Sequence, residues 1–250
     1  MKTIILGPCV MESYSLLEEV GAFTYELSAK YQEFDFVFKS SFDKANRTSH
    51  NSFRGPGLEK GMLWMSDLKS KYNLRVTSDI HEAYQAKPAG EVLDIIQIPA
   101  FLCRQTDILK SSCDTGRHIN VKKAQFLSGK DMVNVAQKLK SFGAKSFGMI
   151  ERGNMFGYNN LVVDFTNILE MKKFCDQVIM DCTHSVQKPG ALGAKSGGSR
   201  DYVPFMAKAA KAFNVDGYFF EIHPDPDNAL SDGPNMVKLD DVESIIKDLR

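Results

Sequence analysis

Eight short apolar runs along this 250-residue chain each end in side chains able to bind a metal, hold an anion or move a proton. The first four endings read Gly7-Pro8-Cys9-Val10-Met11-Glu12-Ser13, Lys39-Ser40-Ser41-Phe42-Asp43-Lys44-Ala45-Asn46-Arg47, Ser78-Asp79-Ile80-His81-Glu82 and Gln97-Ile98-Pro99-Ala100. The other four are Lys122-Lys123, Glu151-Arg152-Gly153-Asn154, Asp181-Cys182-Thr183-His184 and Glu221-Ile222-His223-Pro224. A solvated rim is also polar, but it rarely sets a charged group directly after so many apolar runs. Among these residues Cys9, His184 and Glu221, with Asp232 further along the last loop, are of metal-binding types. A thiolate, an imidazole and two carboxylates suit Zn²⁺, Fe²⁺ or Mn²⁺ and exclude a Ca²⁺ site. Taken singly, each has a plainer reading, because a buried Cys is usually inert packing and a strand-end His is usually just hydrogen-bonded.

Elements must bring these endings together. The apolar runs predict strands over 3–6, 34–38, 74–77, 95–98, 119–121, 146–150, 177–180 and 217–220. Apolar residues at intervals of three to four, as in Leu16-Leu17-Val20-Phe23 and Val133-Ala136-Leu139, predict helices between them. These span roughly 16–30, 58–72, 82–87, 104–115, 130–142, 167–174, 201–213 and 239–249. Eight strand–helix repeats without a long polar linker imply one closed parallel (β/α)₈ TIM barrel over residues 1–250; an open doubly wound sheet is the alternative. The long connections, 40–57, 152–166, 183–200 and 222–238, all follow strands, and a barrel carries its site on those loops. Strands seven, eight and one are neighbours in a closed barrel, so Cys9, His184, Glu221 and Asp232 converge on one arc of its mouth. Gly190–Arg200, with four glycines, reads as a mobile lid over that mouth.

Composition narrows the partners. The 31 basic and 31 acidic side chains cancel, which argues against a nucleic-acid or membrane-surface partner. Only four residues, Thr3 to Leu6, separate Met-Lys from Gly7-Pro8, too few for a signal-peptide core, and no run approaches the ~18 apolar residues of a membrane span. The five cysteines form no CxxC, so reduced thiols in a cytoplasmic protein are expected.

Read together, the strand endings resemble the 3-deoxy-D-manno-octulosonate 8-phosphate synthases. The resemblance runs from Gly7 to about Asp232. It is carried by Lys39–Ser49 with Ser52-Phe53-Arg54-Gly55-Pro56-Gly57, by Gln97–Asp107, by Phe156–Asp164, by Asp181–Gln187 and by Glu221–Asp232. It implies condensation of phosphoenolpyruvate with arabinose 5-phosphate, on the route to a lipopolysaccharide sugar. It also implies the metal-dependent branch, which carries Cys where the metal-independent branch has Asn, as at Cys9 here. The expected cofactor is a divalent ion (Zn, Fe or Mn, with Co able to substitute) on Cys9, His184, Glu221 and Asp232.

Two substrates bringing about four to five negative charges need several cations. By the resemblance, Lys122 and Arg152 hold the phosphoenolpyruvate phosphate, assisted by Gln97 and the backbone at Ala100. Lys39 and Lys44 face its carboxylate. Asn46, Arg47, Thr48 and Asp79 contact the sugar phosphate, and Arg104 reaches the site of a neighbouring subunit in a homotetramer. Lys123 is set aside, because alternation along a strand points it opposite to Lys122. The candidate catalytic residues are Lys44, Cys9, His184 and Asp232. Two rival readings stand beside this one: a related heptulosonate phosphate synthase using erythrose 4-phosphate, and a catalytically silent barrel that only binds sugar phosphates.

Overall fold

The computed structural model describes residues 1–47, 49–192 and 195–250. Eight parallel strands alternate with eight helices. The strands are β1 (Lys2–Gly7), β2 (Phe34–Lys39), β3 (Arg75–Asp79), β4 (Ile95–Ile98), β5 (His118–Lys122), β6 (Phe147–Glu151), β7 (Gln177–Asp181) and β8 (Gly217–His223). The helices are α1 (Tyr14–Lys30), α2 (Leu58–Tyr72), α3 (Ala86–Val92), α4 (Thr106–Asp114), α5 (Met132–Ser141), α6 (Thr166–Met171), α7 (Val203–Ala212) and α8 (Leu239–Leu249). Each strand pairs in parallel with the next, and β8 closes on β1 through Thr3 opposite Gly217 to Gly7 opposite Glu221. The sheet is therefore the closed barrel that the repeat implies.

Side chains of period two divide the apolar residues into two layers. Ile5, Val37, Ile95, Ile150, Ile179 and Phe219 fill the inside of the barrel. A larger cluster, including Ile4, Leu6, Phe36, Phe38, Met149 and Val178, packs the outer face of the strands against helix residues such as Leu17, Leu109, Leu139 and Ile246. Gly7 marks the end of β1. A Cβ there would lie 1.7 Å from the Lys39 carbonyl oxygen, so only glycine lets the chain run on to Cys9 beside β2.

The departures from expectation are local. Helix α3 extends to Val92, beyond the expected end at 87, behind a 3₁₀ turn at Ala83–Gln85. Pro88 and Gly90 interrupt the apolar pattern, yet Pro88 lies in the first turn, where its missing N–H removes no helical hydrogen bond. Three small ladders were not expected: Asn154–Met155 with Leu161–Val162, Gln187–Leu192 with Lys195–Gly198, and Val237–Lys238 beside the end of β8. The second overlaps the expected 190–200 lid, whose residues 193 and 194 are outside the described ones. Lys39, Asp79, Lys122, Glu151 and Asp181 close their strands and do not open the loops. The hydrogen-bonded ladder thus fixes the backbone of each.

Candidate active site

The C-terminal ends of the strands surround a cavity of about 710 Å³, lined among others by Lys44, Asp79, Lys122, Arg152, His184 and Asp232. Phe219 of β8 lies in the barrel interior beneath two of the lysines. The Lys122 ammonium sits 4.0 Å and the Lys39 ammonium 5.5 Å from the centre of that ring, where the π face favours cations.

Four cations and four carboxylates share this space. Lys39 donates to Glu221 Oε1 at 3.1 Å and to the Cys9 carbonyl at 3.1 Å, and lies 3.7 Å from Asp79. Lys44 stands 4.0 Å from Glu221. Lys122 donates to Asp181 Oδ2 at 2.7 Å. Arg152 differs from all three. Only 6% exposed, its Nη2 donates to Gln187 Oε1 at 3.3 Å, whereas Nε and Nη1 have no partner among the described residues. A buried guanidinium at the cavity wall with two N–H directions unpartnered among the described residues suits an anion.

Electrostatics follow from burial against these neighbours. Burial opposes ionisation of Asp79, but Lys39, Lys44 and Lys122 outweigh it and hold the carboxyl well below its usual range. His184 and Lys122 do the same for Asp181, and His184, Lys39 and Lys44 for Glu221. Lys44 is likewise kept charged, because Cys9, Glu221, Asp79 and Asp232 overcome its desolvation. Burial, with Glu221 beside it, pushes the Cys9 thiol far up.

The donor set on the β7–β8–β1 arc fits a divalent ion. Cys9, Glu221 and Asp232 place their ligand atoms within 4.8 Å of one another, and Cys9 Sγ lies 3.4 Å from Asp232 Oδ2. His184 adds its Nε2 at 3.7 Å from Glu221 Oε2 and 3.5 Å from Asp232 Oδ2. Ligands bound at about 2.0–2.3 Å around one ion are spaced on this scale. Glu221 Oε2 is buried with no hydrogen-bond partner, which an ion would supply. The other ring nitrogen of His184, Nδ1, sits 2.8 Å from Asp181 Oδ2, the carboxylate–histidine arrangement that orients metal-binding imidazoles.

Most of the sequence-derived residues meet here. Cys9, Lys39, Lys44, Asp79, Gln97, Lys122, Arg152, His184, Glu221 and Asp232 face one another or the cavity, and Asn46, Arg47 and Ala100 line its wall. Gln97 donates to Asp79 Oδ1 at 2.7 Å, which leaves its buried Oε1 unpartnered. Arg47 is held by the carbonyls of Phe53 and Leu230. Arg104 is exposed and lies outside this mouth, in a separate groove with Leu127, Asp131 and Lys138. Thr48 is outside the described residues. Lys123 does point away from Lys122, but it is fully buried, not solvated.

Two residues were not singled out from the sequence. Asp181 anchors both Lys122 and His184, and its position at the end of β7 repeats the pattern of Asp79 on β3. Gln187 bridges Arg152 to Asp232 Oδ1, accepting from one and donating to the other at 3.2 Å. Only Gln187's place in the Asp181–Gln187 motif signals it.

A closed barrel whose mouth gathers metal-type donors beside a cluster of buried cations has the architecture of an enzyme active site. Comparison with known proteins makes this specific: residues 1–249 match the DAHP synthetase I family, and the chain belongs to that family. Its similar proteins include one from Desulfatibacillum aliphaticivorans, 52% identical over 98% of this chain and 90% of the relative. Another, from Fusobacterium nucleatum subsp. nucleatum, is 50% identical over 98% and 87%, and one from Helicobacter hepaticus is 48% identical over 98% and 94%. All three are named 2-dehydro-3-deoxyphosphooctonate aldolase. Among the described residues no helix is long and apolar enough to cross a membrane.

Proposed function

We propose that the chain condenses phosphoenolpyruvate with arabinose 5-phosphate and water, giving 3-deoxy-D-manno-octulosonate 8-phosphate and inorganic phosphate. The names of relatives that align over nearly the whole chain support this, as does the resemblance of the strand-end motifs. The observation that carries it is Arg152, a buried guanidinium with two free N–H directions beside Lys122. Together they supply a phosphate seat, with Lys39 and Lys44, beside Glu221, available for a carboxylate. C3 of phosphoenolpyruvate forms a bond to the sugar aldehyde carbon while water adds at C2, and the C2–O bond breaks to release phosphate. Catalysis is then chiefly positioning and charge stabilisation.

A divalent ion (Zn, Fe or Mn, with Co able to substitute) belongs to this reading, held by Cys9, His184, Glu221 and Asp232. Bound there it supplies a Lewis acid at the aldehyde or the attacking water. The side chains of the mouth balance, four cations against four carboxylates, so an ion's added charge offsets part of what the two substrates bring. The exposure of Arg104 agrees with its serving a neighbouring subunit of a homotetramer. A cytoplasmic location and a role in supplying a lipopolysaccharide sugar complete the proposal.

The test follows the bond that breaks. Phosphoenolpyruvate carrying ¹⁸O in the bridging position, with arabinose 5-phosphate, should yield phosphate that retains the label. Label left in the octulosonate product would mean P–O cleavage and would reject the proposed chemistry.

A further inference from the structure

Behind Lys122 and Arg152 lies a second pair of charges that faces no substrate. Val121 and Met149 pack in the outer layer and Ile150 in the inner one, so alternation sends Lys122 and Arg152 inward and Lys123 and Glu151 outward. Lys123 and Glu151 are both fully buried, with Nζ 3.4 Å from Oε1. Burial pushes the Glu151 carboxyl up and the Lys123 ammonium down, each toward its neutral form. A buried ion pair is poor evidence of stabilisation in itself, since an apolar pair of similar volume often does as well. Its contacts show a different use.

Glu151 Oε1 accepts the backbone N–H groups of Arg152 at 3.0 Å and Gly153 at 2.6 Å. Lys123 donates to the Gly153 carbonyl at 3.3 Å, Asn154 Oδ1 at 3.0 Å and the Leu127 carbonyl at 3.0 Å. The pair therefore grips the turn at residues 152–154 from both sides, where Gly153 adopts a φ of +92° that other residues rarely take. The guanidinium beyond this turn has only the long contact to Gln187 to hold its aim.

We infer that Lys123 and Glu151 are positioning residues for the anion-binding arginine, fixing the 152–154 turn so that the Arg152 guanidinium is held at the wall of the mouth. This rests on the reading of Arg152 as the phosphoenolpyruvate phosphate anchor.

Lys123→Met and Glu151→Gln, in metal-replete enzyme, are to be compared with wild type for phosphoenolpyruvate affinity by calorimetry and for KM of each substrate. Lys123→Met should weaken phosphoenolpyruvate roughly 10- to 100-fold, the scale of an ångström's misplacement, with KM for arabinose 5-phosphate changed less than about threefold. Glu151→Gln keeps an oxygen for both backbone N–H groups and should retain most of the affinity. If Lys123→Met does not fold, the double variant Lys123→Met/Glu151→Gln removes both charges and should still bind phosphoenolpyruvate weakly. A folded variant lacking Lys123 that binds phosphoenolpyruvate as wild type does, or loses both substrates equally, overturns the inference. Wild type that fails to bind phosphoenolpyruvate at all would instead overturn the function proposed above.

Discussion

Replacing Arg152 by Met separates a binding charge from a structural one. Two buried N–H directions of this guanidinium have no partner among the described residues, and a buried donor left unpaired costs about 1–3 kcal/mol. Asp181, Asp232, Glu151 and Glu221 attract the charge, yet burial outweighs them and lowers the arginine's pKa. A methionine of similar reach removes this cost but leaves four carboxylates against three cations, so the two effects oppose and the substrate-free Tm should change by less than about 4 °C at this chain length. Phosphoenolpyruvate at a hundred times its Kd should stabilise wild type by about 2.7 kcal/mol. The variant forgoes two charge-assisted hydrogen bonds of about 1.5–3 kcal/mol each, which raises Kd roughly 10²- to 10⁴-fold. The same ligand concentration should then contribute under about 0.5 kcal/mol. Differential scanning calorimetry with and without phosphoenolpyruvate reads both effects. A Tm that falls by well over about 4 °C without ligand would show Arg152 to be structural, and a ligand shift equal to that of wild type would show that the phosphate sits elsewhere.

Four further outcomes follow. EDTA should abolish turnover, Mn²⁺, Zn²⁺ or Co²⁺ should restore it and Ca²⁺ should not, and Cys9→Ala should lose both metal and activity; full turnover by protein that elemental analysis shows to be metal-free would refute the site. The Asp79 carboxyl is depressed in the fold from its ordinary 3.8, so its contribution to stability is present above that pH and lost as pH falls below it. Urea midpoints should therefore fall less for Asp79→Asn than for wild type between pH 6 and pH 3, and parallel curves would count against the ion cluster. Burial pushes Cys175 up to about 12 and Cys113 to about 11, so both should react slowly with a disulfide reagent at pH 8 although Cys175 is only partly buried; rapid labelling of Cys175 in folded protein would contradict this. Mixing Arg104→Ala chains with Arg152→Met chains should restore some activity through hybrid oligomers, whereas full activity of a dilute monomer would exclude a shared site.

Strand ends were the most legible part of this chain, because in a parallel barrel an apolar run followed by a reactive residue is dictated by the architecture. Cys9, His184, Glu221 and Asp232 were placed on one arc from strand order; Cys9, Glu221 and Asp232 do lie within 4.8 Å of one another, with His184 Nε2 beside the two carboxylates. Period-two alternation separated Lys122 from Lys123 correctly. It could not show that Lys123 is buried against Glu151, since that depends on how the 152–154 turn folds back over β5. Gln187 was hidden for a related reason: a glutamine gives no charge pattern, and its role arises only when the 187–198 ladder brings it between Arg152 and Asp232. The end of α3 was misread because Pro88 looks like a breaker until its place in the first turn is known.

The account stands most directly on the choice of aldose. Purified enzyme should be supplied with phosphoenolpyruvate and either arabinose 5-phosphate or erythrose 4-phosphate, with released phosphate measured under the same conditions. The site is predicted to give the larger kcat/KM with arabinose 5-phosphate, releasing one phosphate per octulosonate formed. A larger kcat/KM with erythrose 4-phosphate would make the chain a heptulosonate phosphate synthase, and no phosphate release with either sugar would make it a barrel that binds without catalysing.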